Sequence, residues 1–277
     1  MLEPKTHFIA IEAHRGWRPV NFRELWKFRE LLYFLAWRDI KVKYRQTVLG
    51  IVWVILQPVL GMAVFSIVFG KFAKIPSDGV PYPIFVFTGL LPWTYFSSVL
   101  GQSTTSLVTG ANLISKIYFP RLIIPASSAV ATLLDFCLGW AVLGLMLVHF
   151  GIGLGASALL APLLAFLTLM NALGFGLWFS ALNVRYRDIQ YAIPFIIQVW
   201  LFATPVIYPI SLLGNRYGWI LSLNPMAGVI EGFRSAILGH TPMPWGSLAI
   251  STSVGVFFFV TGAIYFSRVE RYFADII

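Results

Sequence analysis

The sequence predicts an all-α integral membrane protein with six transmembrane helices, an N-terminal amphipathic interfacial helix and a short re-entrant helical hairpin before the last span. Three observations predict this fold class. Hydrophobic residues make up 58% of the 277 residues and charged residues only 11%, so too little polar surface is available to coat a soluble domain. Uncharged stretches long enough to cross a bilayer recur along the chain, and basic residues gather between alternate pairs of them. The whole chain, 1–277, is expected to form one transmembrane domain.

The spans follow from the lengths of the uncharged stretches. A helix rises about 1.5 Å per residue and the hydrocarbon core is about 30 Å thick, so a crossing takes roughly 20 apolar residues. A glycine-rich turn at 151–155 divides the longest stretch into two helices. The predicted spans cover approximately 48–70, 82–106, 122–149, 157–182, 189–213 and 246–267.

The segment 217–239, between the fifth and sixth spans, carries its own helix signals. Asn224 can cap a helix that starts at the next residue, and Gly239 can end it. Such a helix is shorter than the hydrocarbon core, so we expect the segment to enter the membrane and return. Glu231 and Arg234 stand three residues apart and can neutralise each other there. The alternative is a surface helix outside the bilayer.

The N-terminal segment, 1–45, contains no leading apolar core, so we expect no cleavable secretion signal. Asn21 can cap a helix in which apolar residues recur at helical spacing against charged ones. We expect this basic amphipathic helix to lie along the inner membrane surface, with Trp26 and Trp37 in the headgroup zone.

The distribution of basic residues predicts the orientation. Sixteen of the 20 Lys and Arg residues fall on the same side of the six spans as the N-terminus, and four fall on the other side. Basic loops stay preferentially in the cytoplasm. We therefore expect a multi-pass protein of the cytoplasmic membrane with both termini in the cytoplasm.

The sequence contains no motif that predicts a nucleotide-binding site, a metal site or a covalent catalytic site. Gly70-Lys71 is followed by Phe72 and lacks the upstream glycine and the hydroxyl of a phosphate-binding loop. The four histidines are scattered, and the lone Cys137 is expected to be a small buried packing residue. We expect no metal, no cofactor and no catalytic residue in this chain, which is therefore not predicted to be an enzyme.

Asp135 is the one carboxylate expected deep inside a span. It either lines an aqueous path and takes part in gating, or bonds to a neighbouring helix. An ion-coupled carrier would show several such groups, so the driving energy is expected to come from another subunit.

Six motifs in order along the chain resemble the membrane-spanning permease of a type-two ABC exporter, of the family that exports O-antigen, capsular polysaccharide or teichoic acid. They are 41–50 (KVKYRQTVLG) with Trp53 and Gln57-Pro58, 112–121 (NLISKIYFPR), 185–189 (RYRDI), 204–208 (TPVIY), 224–226 (NPM) and 270–276 (ERYFADI).

The resemblance implies a homodimer with two copies of a separate ABC ATPase, which binds ATP and Mg²⁺. Its implied cargo is a lipid-linked polysaccharide, such as lipopolysaccharide O-antigen or capsular glycan, crossing the bacterial inner membrane. Membrane lipid is an expected partner and nucleic acid is not. The alternatives are an ABC permease for a drug, haem or small lipid, and an ion-driven carrier or membrane-embedded enzyme.

The resemblance also implies a coupling helix in the loop after the second span, which presses into the ATPase. An ordinary positive-inside loop would explain the charges of that loop but not its Ile-Tyr-Phe cluster, which we expect to be exposed. The charged island at 185–188 either contacts the ATPase or only anchors helix ends, with Asp188 pairing with an arginine or capping the fifth span. The residues expected to couple to the ATPase are Asn112, Lys116, Ile117, Tyr118, Phe119, Arg121, Arg185, Arg187 and Asp188.

Substrate handling is predicted from aromatic faces, which suit sugar rings, and from basic groups, which suit a lipid diphosphate. Packing against lipid and attraction to acidic bilayer lipid are the competing explanations. The candidate residues for the path or the lipid phosphate are Arg38, Lys41, Lys43, Arg45, Trp53, Trp93, Trp200 and Tyr208. Asn224, Glu231 and Arg234 are the candidate residues of a gate hairpin.

Overall fold

The computed structural model describes residues 22–45, 50–213, 220–270 and 273, and within these ranges the chain is helical and contains no strand. This confirms the all-α class for the described residues. The helices are α1 (Phe22–Lys27), α2 (Arg29–Arg45), α3 (Gly50–Phe65), α4 (Tyr82–Thr109), α5 (Ala111–Ile114), α6 (Ile123–Phe150), α7 (Ala161–Arg185), α8 (Ile189–Ala203), α9 (Ala227–Leu238) and α10 (Trp245–Val269). A π-helical turn, Ser66–Phe72, prolongs α3, and 3-10 turns cover Ala156–Leu160 and Ile210–Leu213.

Five helical segments are long and apolar enough to cross a membrane, with 23 to 30 residues each. At about 1.5 Å per residue the shortest extends about 35 Å, which exceeds the core thickness of about 30 Å. The five correspond to the predicted spans at 48–70, 82–106, 122–149, 157–182 and 246–267. The chain is therefore a membrane protein with several spans.

The predicted span at 189–213 is not one continuous helix. The helix α8 has 15 residues and a length of about 22 Å, and it ends at Ala203. Its last position is followed by Thr204, whose backbone is extended (ψ 140°). The cause is Pro205, whose ring disfavours the helical conformation of the residue before it. The count of six spans is therefore not confirmed by helix length.

The helix α4 lies at the centre of the bundle and α3 lies at its edge. In the most apolar part of α4, 78% of residues are buried within the protein, against none in the segment Gly50–Phe72. The neighbours of α4 are α3, α6, α7, α8 and α9. Cys137, on the outer face of α6, is exposed, so the expectation that it is buried is wrong.

Two glycines allow α7 and α10 to approach closely. A Cβ atom on Gly174 of α7 would lie 2.8 Å from the backbone nitrogen of Phe259, and one on Gly262 of α10 would lie 2.5 Å from the carbonyl oxygen of Gly174. Contact of this kind, through small residues, is how membrane helices pack when no hydrophobic effect drives them together.

Gly174→Ala is therefore expected to lower stability by about 1–3 kcal/mol, because the helices must separate to accept the methyl group. Thermal unfolding of the detergent-purified protein measures this effect. Gly144→Ala on α6 is the matched control, since nothing lies within 4 Å of its added Cβ. Equal melting temperatures for the two variants would show that the α7–α10 contact tolerates separation.

The N-terminal segment forms two helices, α1 and α2, with a break at Phe28. Leu35 and Ala36 of α2 are buried, and α2 packs along α6. Trp26 and Trp37 are exposed. The proposed cap, Asn21, lies outside the described residues, and a location at the membrane surface stays a prediction.

Candidate functional site

The segment Thr204–Pro209, called here the α8 break, has backbone carbonyls that no helix can satisfy. Unpaired carbonyls cost several kcal/mol each in a membrane interior, so such a segment persists only where protein groups bond to it. Interrupted helices of this kind occur at the functional centres of transporters. The α8 break is therefore the place from which to build the candidate site.

Arg234 of α9 supplies most of the missing donors. Its Nη1 donates to the carbonyls of Pro205 (2.7 Å) and Tyr208 (3.4 Å), and its Nη2 donates to that of Val206 (2.5 Å). The guanidinium carbon lies 3.7 Å from the ring centroid of Phe85, a cation–π contact. The side chain of Arg234 is only 3% exposed. Five N–H groups in one plane allow a single arginine to serve several carbonyls.

Glu231, one turn earlier on α9, neutralises this buried cation. Its Oε1 lies 3.1 Å from Nη1 of Arg234 and also accepts the backbone N–H of Ile210 at 3.2 Å. The predicted pairing of Glu231 with Arg234 is therefore present. Arg234 therefore bonds to carbonyls before Pro209, and Glu231 bonds to the backbone N–H directly after it.

Asn224 binds the start of the α8 break. Its Nδ2 donates to Oγ1 of Thr204 (2.9 Å) and to the carbonyl of Ala203 (3.3 Å). Its Oδ1 accepts from the indole N–H of Trp200 (3.2 Å) and from the backbone N–H of Met226 (3.0 Å). The prediction that Asn224 caps a helix starting at residue 225 is wrong, because the helix begins at residue 227 with Met226 at its N-cap position and no side-chain capping bond. Asn224 instead accepts the backbone N–H of Met226 in the turn before α9.

The central helix α4 completes the arrangement. The hydroxyl of Tyr82 donates to the carbonyl of Ile207 at 2.7 Å. Gly89 leaves room for the guanidinium, because a Cβ at this position would lie 2.7 Å from Nη2 of Arg234 and 3.2 Å from the carbonyl oxygen of Val206. Neither Tyr82 nor Gly89 was predicted, since their partners lie more than 100 residues away in sequence.

Tyr82, Asn224, Glu231 and Arg234 are called here the polar clamp. It brings together all three residues predicted for the gate hairpin. Every residue of α9 is buried, against α4, α7 and α10 among others, so this helix lies inside the bundle. Whether the segment enters the membrane or lies outside the bilayer stays a prediction. Gly239 ends α9 with φ 68°, as predicted for a left-handed glycine cap.

The four predicted aromatic residues of the path do not share one environment. Trp93 and Trp200 lie edge to face, with ring centroids 6.4 Å apart, inside a cluster with Phe96. Trp93 is 3% exposed, which corrects the prediction that it lines a path, because its ring is enclosed by packing between helices. Trp200 and Tyr208 are half-buried, and Trp53 is exposed at the edge of the bundle.

Two of the four predicted basic residues on α2 are paired with acidic groups. Arg38 pairs with Asp39 at 2.8 Å, and Lys43 forms an ion pair with Asp135 of α6. Lys41 lies over the ring of Trp37, and Arg45 is exposed. A lipid phosphate would have to compete with Asp39 for Arg38.

Asp135 bonds to a neighbouring helix, which was the structural alternative for this residue. Besides the ion pair with Lys43, it accepts a hydrogen bond from the hydroxyl of Tyr44. Burial, with the hydrogen bond to Asp135 and the charge of Asp135, raises the pKa of Tyr44, so the phenol remains a donor at neutral pH. These contacts attach the end of α2 to the middle of α6.

The predicted coupling loop, 112–121, is partly exposed. Ile117 and Tyr118 are exposed, as are Asn112 and Lys116. Phe119 is 4% exposed and packs beneath the loop, so the expectation that all three apolar residues are exposed is wrong for Phe119.

Arg121, at the end of this loop, is bound to the last helix. Its backbone N–H donates to Oε1 of Glu270 at 2.8 Å, and its guanidinium donates to the carbonyl of Glu270. The carboxylate of Glu270 therefore lies at the N-terminus of α6, where the helix dipole favours a negative charge. Movement of the loop would be transmitted to the end of α10.

All four residues of the island at 185–188 are exposed. Arg185 lies 5.3 Å from the ring of Tyr186, and Asp188 makes no capping hydrogen bond to α8. The cap comes instead from Asn183, whose Oδ1 accepts the N–H of Gln190 at 3.1 Å while its Nδ2 donates to the carbonyl of Thr104 at 3.1 Å. The expectation that Asp188 caps the helix is wrong.

Comparison with known proteins gives consistent matches over most of the chain. The profile of a family described as ABC-2 type transporter matches residues 30–238. The O-antigen export system permease protein RfbA of Myxococcus xanthus is 31% identical over 258 residues, covering 90% of this chain and 96% of the relative. The protein of the same name from Klebsiella pneumoniae is 27% identical, covering 90% and 95%. The polysialic acid transport protein KpsM of Escherichia coli is 25% identical, covering 73% and 78%.

Proposed function

Because the chain belongs to the ABC-2 type transporter family, we propose that it is the permease subunit of an ATP-driven exporter of polysaccharide. The observation that carries the proposal is the similarity to an O-antigen export permease across 96% of that relative's length. A second relative, of a different name, is a polysialic acid transport protein, so both names concern bacterial glycans. The cargo we propose is a lipid-linked O-antigen or capsular glycan.

The proposed assembly is a homodimer in the bacterial inner membrane with two ATPase subunits on its cytoplasmic side. Its support is the exposed apolar surface of α3 and α8, where Trp53 is 56% exposed and Phe195 is 68% exposed. In this assembly α8 and the α8 break together form the sixth crossing, and both termini lie in the cytoplasm. ATP and Mg²⁺ bind to the partner subunit.

The exposed part of the coupling loop and the island form the proposed contact surface for the ATPase. Ile117 and Tyr118 offer apolar contact, while Lys116 and Arg187 offer positive charge to acidic groups. Arg121 belongs to the support of this surface, because Glu270 holds it.

Co-purification with an ABC ATPase from the same organism tests the proposal. The wild-type complex is expected to form and to restore surface glycan to a strain lacking the permease. Ile117→Asp should reduce ATPase binding about tenfold or more, since it places a charge in an apolar contact. Leu154→Asp, at an exposed position of the 151–155 turn, which is predicted to lie on the side opposite the coupling loop, serves as a control for the added charge. A complex that forms but confers drug or haem resistance without changing surface glycan would contradict a polysaccharide cargo.

Asp135→Asn separates this proposal from an ion-driven carrier. Asparagine keeps an oxygen that can accept from Tyr44 and Lys43, so we expect a stability loss of about 1 kcal/mol and surface glycan close to the wild-type level. Immunoblotting of surface glycan, normalised to permease abundance, measures this. Complete loss of export at normal abundance would favour the carrier.

A further inference from the structure

A cavity of about 450 Å³ lies between α4 and α8. The helix α4 supplies one wall, from residues between 97 and 105, and α8 supplies the other, from residues between 190 and 197. Its volume falls within the range of about 300–1,000 Å³ that is usual for small-molecule sites. None of the residues predicted for the path lines it.

The cavity offers a defined set of uncharged hydrogen-bonding groups. Within the described part of the chain, the side chains of Ser98 and Gln190 have no hydrogen-bond partner, so both can donate to and accept from a ligand. The hydroxyls of Ser97 and Thr105 donate to carbonyls of their own helix and keep lone pairs that can accept. The cavity wall therefore offers both donors and acceptors.

The remaining lining is aliphatic, from Ile193, Pro194 and Ile197, and no Asp, Glu, Lys or Arg contributes. Sugar rings combine hydroxyls that donate and accept with apolar CH faces, and this wall matches both. A phosphate would require a cation, which the cavity does not contain. An acyl chain would leave the amide of Gln190 unsatisfied, at a cost in free energy.

The position of Gln190 is fixed by the fold. Its backbone N–H is held by Asn183, which is itself bonded to α4 at Thr104. The two walls are therefore tied together at one end of the cavity. That end lies beside the island at 185–188, on the side of the protein predicted to face the cytoplasm.

We propose that the α4–α8 cavity is an entry subsite that binds uncharged sugar residues of the glycan through Ser98 and Gln190. This inference rests on the proposed function and deepens it, because it assigns recognition of the sugar to neutral hydroxyl and amide groups near the cytoplasmic end. The aromatic residues are not required for that step.

The test uses the permease–ATPase complex in lipid nanodiscs, with the strain's own lipid-linked glycan extracted from membranes that lack the permease. Gln190→Leu is expected to raise the glycan concentration for half-maximal stimulation of ATP hydrolysis about tenfold, and Ser98→Ala about threefold. For each variant the stimulated rate is measured relative to its own basal ATP hydrolysis. Gln198→Leu, at an exposed position of the same helix, is the matched control and should behave as wild type.

The outcomes separate the inference from the proposed function. A wild-type complex that glycan does not stimulate, in cells without export, would contradict the proposed function. Normal wild-type stimulation with both cavity variants equal to Gln198→Leu would overturn the sugar subsite alone. Equal stimulation by the lipid carrier without sugar, weakened by the same variants, would also overturn it and indicate a lipid site. Ser98→Ala removes a single oxygen, so it keeps the test decisive if Gln190→Leu fails to accumulate.

Discussion

Arg234→Met is expected to abolish accumulation of folded protein. The substitution removes a buried cation and leaves Glu231 as an uncompensated buried charge, a change that costs about 3–5 kcal/mol in comparable ion pairs. It also leaves the carbonyls of Pro205 and Val206 without donors, at about 1–3 kcal/mol each. These losses together approach the whole stability of a typical domain, about 5–15 kcal/mol. Size-exclusion chromatography and thermal unfolding in detergent measure the result.

Three further variants show whether the polar clamp is responsible. Glu231→Gln combined with Arg234→Met removes the unpaired charge, so partial recovery of folded protein is expected. Gly89→Ala should lower the melting temperature without changing any polar group, because its Cβ would displace the guanidinium. Arg29→Met, at an exposed position of α2, should have little effect. A melting temperature of Arg234→Met equal to that of wild type would exclude a stabilising role for the clamp.

Asn183→Leu is expected to destabilise the protein by about 2–4 kcal/mol. Asn183 is fully buried, and its side chain satisfies the carbonyl of Thr104 and the N–H of Gln190. Leucine fills similar space but leaves both backbone groups unsatisfied, at about 1–3 kcal/mol each. Thermal unfolding in detergent measures the loss of stability.

Hydrogen exchange provides a more specific readout for Asn183. The amide of Gln190 stands in the first turn of α8, where helices have no internal acceptor, so it should exchange faster in the variant while amides in the middle of α7 keep their protection. Asn112→Leu, at an exposed position of the short helix α5, is the control for replacing an asparagine. Unchanged exchange at Gln190 would show that another group caps α8.

The long helices could be predicted because each depends on a local property. The lengths of uncharged runs predict α4, α6, α7 and α10 within a few residues, and Gly151 and Gly239 end helices with positive φ as glycines can. The interruption of α8 also has a local cause, since Pro205 follows Thr204. The uncharged run at 189–213 did not predict this interruption, because hydropathy carries no information about backbone conformation.

The candidate site was predictable only where its members are neighbours in sequence. Glu231 and Arg234 are three residues apart on one helix, and their pairing follows from helical spacing. The partners of Arg234 at Phe85 and Val206 come from α4 and the α8 break, and no pattern along the chain relates them. The same is true of Asp135, whose partners on α2 lie about 90 residues earlier. Phe119 and Trp93 were misjudged because burial depends on packing that sequence spacing does not contain.

The sequence by itself determined that this protein lies in a membrane, that it is helical and to which family it belongs, because hydrophobicity and motif order are properties of residues along one chain. The tertiary structure alone decided which polar groups meet inside the bundle: the carbonyls of the α8 break with the polar clamp, Asn183 with α4 and α8, and the hydroxyl-bearing face of α4 with Gln190 of α8 around one cavity. The physical reason is the low dielectric of the interior, where each buried polar group must find a partner, and the partner is chosen by proximity in space.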